Sequence, residues 1–276
     1  MRPRLIDFFA DYLGESLASY LVPTGTTMYV LAMLIVMYVY VKRCQWIGLS
    51  AYHALGTAIY AMIGGLAGAR IFYLLETLPN TLKDPMVILD VFGGTTSWGA
   101  YIGGLGGYFL YLKIHRLNLL RYADVIGASL GLGPFIGRWS CFLHGCCYGR
   151  LTDVPWAIQY PQSSPLFWYQ VKQGLLSSES SLSLAVHPIP VYLSLSALMV
   201  FIVTTIVWHK FKDYPGVTFL FYWLFYCSTR FFGEFFRGNT ARWTLWQLDL
   251  AQFICLLIVL ISGVLLVRFF INLQRL

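Results

Sequence analysis

Long apolar runs alternate with short polar stretches along this chain. About 20 apolar residues are needed for an α-helix to cross a bilayer. Measured against that length, about seven runs stand out, near 26–41, 52–74, 93–112, 122–142, 188–208, 216–236 and 247–268. They are too long for core strands, so the pattern predicts an all-α polytopic membrane protein with about seven transmembrane helices. Residues 1–25 mix both signs of charge and lack a small-residue cleavage site. They read as an amphipathic segment lying on the membrane surface, not as a secretory signal. With no internal repeat and no soluble second domain, residues 1–276 read as a single integral membrane domain.

Composition strengthens this picture. The chain is 58% hydrophobic and 11% charged, with a mean hydropathy of +0.66. No soluble domain of this length needs so much apolar surface. The net charge of +7 would suit nucleic acid, but its distribution argues against that partner, because the bases gather at the ends of apolar runs. One set of loops carries Lys42 and Arg43, Lys113 and Arg116, Lys210 and Lys212, and Arg268 and Arg275. The other set carries Glu76, Asp84, Asp153 and Glu179 with fewer bases. The positive-inside rule puts the first set in the cytoplasm. The N-terminus is then outside and the C-terminus cytoplasmic. The longest loop, 144–187, is external and holds the polar run "SSESSLSL".

Glycines at 99, 103, 104, 106 and 107, and at 127, 131 and 133, fit close helix packing. Pro134 is expected to kink the fourth span just before Arg138 and to bare backbone N–H groups there, a possible anion site. Arg70, Arg138, Arg230 and Glu234 all fall in or near apolar runs. Each such charge costs about 2.5–3.5 kcal/mol on an insertion scale, so each needs a polar cavity or a partner. In "RFFGEFFR" (230–237), Arg230 and Glu234 are spaced i,i+4, and Glu234 and Arg237 i,i+3, so all share one helix face. A structural ion pair is the plain explanation of Arg230 and Glu234. Three arginines to one carboxylate, gathered toward the outer half of the membrane, also suit an anionic lipid head group. The planar guanidinium fork binds phosphate oxygens two at a time.

Cys141, His144, Cys146 and Cys147 place four soft ligands within seven residues. The spacing matches no closed zinc pattern of paired C-x2-C units, and adjacent cysteines reach one tetrahedral ion with difficulty. No metal and no cofactor are expected, and no disulfide partner is evident; small polarizable packing residues are the simpler reading. His187, before Pro188, stands where the external loop re-enters the membrane, as a cap or as a site residue.

Five motifs in order resemble one family, the bacterial prolipoprotein diacylglyceryl transferases. They are "GARIFYLL" (68–75), "GGTTSWGAYIGG" (93–104), "GRWSCFLHGCCYGRLTDVPWAIQYP" (137–161), "HPIPVY" (187–192) and "RFFGEFFR". The resemblance runs the whole length. It implies transfer of diacylglyceryl from phosphatidylglycerol to the lipobox cysteine thiol of a precursor lipoprotein at the outer face of the bacterial inner membrane. A thioether forms and glycerol phosphate leaves. It further implies that Arg138 and Arg230 are phosphate-binding catalytic arginines, that Glu234 is their carboxylate partner, and that Gly149 is the signature glycine. Arg70, Arg237, Trp98 and Tyr192 stand as further substrate-binding candidates, and His144, His187 and Glu234 as candidate bases. The expected partners are the phospholipid and the signal peptide of the precursor, with the enzyme a monomer.

This chain departs from the family pattern at several positions. Trp98 stands where the third-span motif usually has histidine, Cys141 where asparagine is common and Cys146 where glutamate is common. Gly25 replaces a frequent tyrosine, and "HPIPVYL" lacks the usual Gln and Glu. The lost groups are neutral or acid–base ones, so they bear on the acceptor and the base more than on the lipid. Two alternatives therefore stand beside the transferase: a paralogue serving another acceptor, and a non-catalytic lipid-binding membrane protein. A transporter fits poorly, since the charges collect toward one face and not at the midplane between repeats. The charge pattern makes a direct prediction. A reporter fused after residue 276 is active only in the cytoplasm and one inserted near Ser180 only outside; cytoplasmic labelling of the 144–187 loop would overturn the orientation.

Overall fold

A computed structural model describes residues 24–78, 94, 96–238 and 248–274. The proposed surface segment 1–25 falls almost wholly outside these residues, as do Asp84 and Arg275. Among the described residues the ordered elements are helices: α1 (Thr24–Trp46), α2 (Ala51–Glu76), α3 (Ser97–Ile114), α4 (Leu119–Leu130), α5 (Leu132–His144), α6 (Pro165–Lys172), α7 (Ile189–Phe211), α8 (Val217–Glu234) and α9 (Leu250–Gln274). Each of the seven expected runs contains helix among its described residues. Five stretches are long and apolar enough to cross a membrane: Thr27–Trp46, Ala51–Glu76, Leu119–His144, Ile189–Phe211 and Leu250–Gln274. The other two expected spans, α3 and α8, are 18 residues each. Their glycines, tyrosines and tryptophans dilute the aliphatic character.

The chain forms two compact units. One is Met37–Ala123, and the other joins the segment up to Val36 with Asp124 onward. Within the first, α2 and α3 pack through glycines. A Cβ on Gly103 would stand 2.1 Å from the Gly64 carbonyl oxygen, and one on Gly99 2.2 Å from that of Gly68. The expected packing role is thus seen at 99, 103 and 107, whereas nothing lies within 4 Å of a Cβ on Gly106. Thr96 caps α3, its side chain accepting from the Gly99 N–H, so the "TTS" of the third-span motif is a helix start. Tyr40, Thr57 and Tyr108 bury three linked hydroxyls, at 3.0 Å (Tyr40 to Thr57) and 3.2 Å (Tyr40 to Tyr108).

Within the second unit, α7 packs on α5 and α8, and α8 packs on α9. The fourth span breaks at Gly131, one turn earlier than the position of Pro134 suggested. Proline lacks an N–H and its ring crowds the carbonyl four residues back. A fresh helix start at Leu132 puts Pro134 in the first turn of α5, where its missing N–H has no intrahelical partner. Gly131 keeps right-handed helical dihedrals at φ −58° and ψ −26° and lies against α7, where a Cβ would meet the Phe201 N and Cβ at 2.8 Å and the Ala197 oxygen at 2.9 Å. Ser194 of α7 donates to the Phe135 carbonyl at 2.7 Å.

Asp124 is the charged residue that the apolar pattern concealed. It is buried in α4 and accepts from the Gly216 N–H at 2.6 Å and the Phe219 N–H at 2.9 Å. It thereby caps α8 from a different helix, at the end where the dipole favours an anion. The long loop also proved to be a folded element. Tyr148, Tyr160, Leu166 and Val186 form its apolar cluster, with Ile158 against it. Ser164 caps α6, and Gln170 Oε1 accepts from the Leu184 N–H at 2.8 Å. We expect Gly103→Leu to force α2 and α3 apart and to lower stability by about 1–3 kcal/mol, read as a lower unfolding temperature in detergent. An unchanged midpoint would contradict the close approach.

Candidate functional site

Three helices border a shallow, solvent-open cleft lined by Pro134 and Arg138 of α5, Leu193 and Ser196 of α7, and Tyr226, Thr229 and Arg230 of α8. Two of the predicted arginines, 92 positions apart in the chain, therefore line one space. No acidic side chain is among the lining residues. Local sequence explains the placement. The break at Gly131 starts α5 afresh, and Arg138 lies one turn beyond Pro134, so both face the cleft. On α8, Gly233 lets α7 come close: a Cβ there would strike Leu193 Cδ2 at 2.7 Å. That contact is one turn past Arg230.

Glu234 organises the arginines. Its side chain is 2% exposed, its Oε2 is 2.6 Å from Arg230 Nη1, and its Oε1 is 3.0 Å from Arg237 Nη1. The second contact is a directed hydrogen bond. The first is a charge contact at a poor hydrogen-bond angle, which leaves both atoms without a formal hydrogen-bond partner. The charge balance differs from the expected three cations to one anion, because buried Asp249 also interacts electrostatically with Glu234. Asp249 opens α9 in a reciprocal cap: the Gln252 N–H donates to Asp249 Oδ1 at 2.7 Å, and the Asp249 N–H to Gln252 Oε1 at 3.1 Å. The D-x-x-Q spacing is a capping-box pattern legible in the sequence.

The signature loop closes against the end of α8. The Gly149 N–H donates to the His187 carbonyl at 3.1 Å, the Arg150 N–H to that of Phe236 at 2.9 Å, and the Gly238 N–H to that of Tyr148 at 3.1 Å. Gly149 and Arg237 form an antiparallel bridge. A Cβ on Gly149 would sit 2.5 Å from His187 Cβ, so this glycine is held by a three-way backbone seam. Beside it, the Trp156 indole donates to Tyr192 Oη at 2.5 Å, and that oxygen is 3.3 Å from His187 Nδ1. The indole only donates, so Tyr192 Oη accepts from it and can either donate to His187 Nδ1 or accept from it. His144, at the end of α5, is exposed.

Arg70 and Trp98 belong to the other unit. Arg70 Nη1 donates to the Gly94 carbonyl at 3.1 Å and its guanidinium lies 5.3 Å from the Tyr73 ring centroid. Trp98 is in the first turn of α3; its side chain lies outside the described residues.

The cysteines converge. The sulfurs of Cys141, Cys146 and Cys147 all lie within 4.8 Å of one another. Gly145 ends α5 in the left-handed conformation at φ 74°, and Cys147 is also left-handed at φ 53°. This double reversal brings adjacent side chains to one point. Arg237 Nη2 approaches Cys147 Sγ at 3.9 Å, and the Tyr29 hydroxyl Cys141 Sγ at 3.4 Å. Hydrogen bonding to Cys141 and Cys147, then burial, push the Cys146 thiol well above the ordinary thiol range. Burial likewise raises the Tyr160 phenol, with the three thiols adding to the effect.

A family model described as prolipoprotein diacylglyceryl transferase matches residues 22–268. Relatives named phosphatidylglycerol–prolipoprotein diacylglyceryl transferase include one from Clostridium tetani, 30% identical over 80% of this chain and 82% of its own length. Another, from Clostridioides difficile, is 29% identical over 79% and 78%. A third, from a Nostoc species, is 31% identical over 72% and 68%. We expect Glu234→Gln to leave two guanidiniums without their carboxylate and to cost about 3–5 kcal/mol, measured by unfolding in mixed micelles. A loss below about 1 kcal/mol would show that Glu234 does not organise the cluster.

Proposed function

The chain belongs to the prolipoprotein diacylglyceryl transferase family, and we propose that it performs that family's reaction in the cleft between Arg138 and Arg230. The protein is a multi-pass inner-membrane transferase. It moves the diacylglyceryl group of phosphatidylglycerol to the lipobox cysteine of a precursor lipoprotein. The sulfur attacks the glyceryl carbon, the carbon–oxygen bond to phosphate breaks, and glycerol phosphate leaves as the thioether forms. The observation that carries the placement is the cleft lining: two arginines, three hydroxyl-bearing side chains and no carboxylate.

Negative charge grows on the phosphate oxygen as the bond breaks, and donors already aimed there stabilise the transition state more than the ground state. Glu234 sets the direction of Arg230 from behind while remaining outside the cleft lining. Arg237, on the other carboxylate oxygen, joins this cluster to the signature loop. The candidate bases are poorly placed for proton abstraction: Glu234 is held by two guanidiniums, His187 Nδ1 faces Tyr192, and His144 is exposed. Activation of the acceptor thiol is therefore assigned to nearby positive charge, which favours the thiolate.

In this reading α3 and α8 complete seven spans, since 18 residues of helix reach about 27 Å, close to the ~30 Å hydrocarbon core. The N-terminus is external and the C-terminus cytoplasmic. The cleft then opens toward the outer face with the 144–187 loop beside it, and Tyr192 is a further substrate contact; the substrate role proposed for Arg70 and Trp98 rests on the family motifs alone.

Arg138→Ala and Arg230→Ala are each expected to lower turnover by about 10²–10³, roughly 3–4 kcal/mol, with the protein still inserted. Arg138→Lys rescues poorly, because a point charge lacks the two-pronged fork. Lipidation of a precursor in vesicles measures both. Near-normal turnover of the two alanine variants would refute the clamp.

A further inference from the structure

The three thiols at the end of α5 exceed what packing requires. Adjacent cysteines in regular backbone point apart. Here a left-handed Cys147, an uncommon conformation for a residue with a side chain, turns both toward Cys141. Three sulfurs within 4.8 Å need to contract only to the ~3.8 Å separation that zinc–sulfur bonds of ~2.3 Å impose. Two cations are in place to offset the thiolate charge: Arg237 contacts Cys147 and Arg138 acts electrostatically on Cys141. A further observation points to a ligand beyond the sulfurs. Tyr160 is 7% exposed, interacts electrostatically with all three thiols, and its buried hydroxyl has no hydrogen-bond partner among the described residues. A buried hydroxyl left without a partner calls for one.

We propose that Cys141, Cys146 and Cys147 form a three-thiolate site for a zinc-class divalent cation whose fourth position, beside the Tyr160 hydroxyl, takes the acceptor's cysteine sulfur. Three protein ligands with one open position is the arrangement of a working zinc site, in contrast to a closed structural one. A trigonal Cu(I) site would be complete with three sulfurs and would leave Tyr160 without a purpose. The proposal rests on the transferase reading for the identity of the fourth ligand. In it the acceptor thiol loses its proton to solvent on coordination. The sulfur lone pair then forms the bond to the glyceryl carbon, and the carbon–oxygen electron pair leaves on the phosphate held by Arg138 and Arg230. The cation would favour the acceptor thiolate, where the histidines and Glu234 are poorly placed to take its proton.

The test uses the full-length protein in detergent, stripped with chelator and reloaded with Co(II) as a spectroscopic stand-in for zinc. One Co(II) per chain is expected, with thiolate charge-transfer bands and tetrahedral d–d bands. Cys141→Ser, Cys146→Ser and Cys147→Ser each lose or shift the bands. A peptide bearing the acceptor cysteine shifts the d–d bands, and the same peptide with serine does not. Tyr160→Phe keeps the cobalt stoichiometry and weakens the peptide response. Absence of charge-transfer bands, or bands indifferent to all three serine changes, would overturn the metal site. Bands unmoved by the cysteine peptide, or tight three-sulfur Cu(I) binding with no peptide response, would overturn the open fourth position. Failure of the metal-loaded wild type to consume phosphatidylglycerol would count against the transferase reading alone, because the cobalt spectrum is read without turnover.

Discussion

Glu234 sits almost wholly out of solvent between two guanidiniums, and much of the site's geometry follows from that one carboxylate. A lone carboxylate in such a place is too costly to keep charged, and a lone arginine fares little better. Paired, they hold each other's direction. Arg230 is thereby fixed toward the cleft and Arg237 toward the signature loop, where its backbone bridges Gly149 and its side chain reaches Cys147. One ion cluster thus ties the arginine-lined cleft, the loop and the thiols together. Breaking it is expected to disturb all three, which is why its contribution to activity and to stability will be hard to separate by removing Glu234 alone.

The backbone is organised for the same end. The fourth span is interrupted at Gly131, and the interruption is sealed by direct contact with α7. The restart at Leu132 places Arg138 on the face that meets α7 and α8. Gly149 is the corresponding device in the loop. It admits the backbone of 187 on one side and of 237–238 on the other, so the segment after the cysteines is stitched to the end of α8. Its value lies in the absence of a side chain, and no direct contact with substrate is needed to account for it.

Much of this was legible in the sequence. Each apolar run contains helix among its described residues, and the i,i+4 and i,i+3 spacings of Arg230, Glu234 and Arg237 gave two ion pairs. The glycines at 99, 103 and 107, read as packing residues, do line a close helix contact. What escaped depends on contacts distant in sequence. Asp124 went unread, since its partners, the amides of Gly216 and Phe219, lie nearly a hundred positions away. The long loop looked irregular because its apolar cluster is assembled from four scattered residues. The cysteines were set aside as a metal site because their spacing matches no closed zinc pattern and neighbours reach one tetrahedral ion with difficulty. That argument holds for regular backbone, and the left-handed Cys147 removes it. Pro134 marked the break correctly but not its position, since the crowded group is the carbonyl four residues earlier.

The central claim is that Arg138 and Arg230 together hold the phosphate of phosphatidylglycerol. Lipid retention tests it without requiring turnover. The wild type and the Arg138→Ala/Arg230→Ala double variant would be released from vesicles of equal phosphatidylglycerol and phosphatidylcholine, and the bound lipid weighed by native mass spectrometry. Charge-assisted hydrogen bonds contribute about 1.5–3 kcal/mol each. The account therefore predicts a preference for phosphatidylglycerol of about tenfold or more in the wild type, lost in the double variant while its unfolding temperature is kept. An equal preference in both proteins would contradict it.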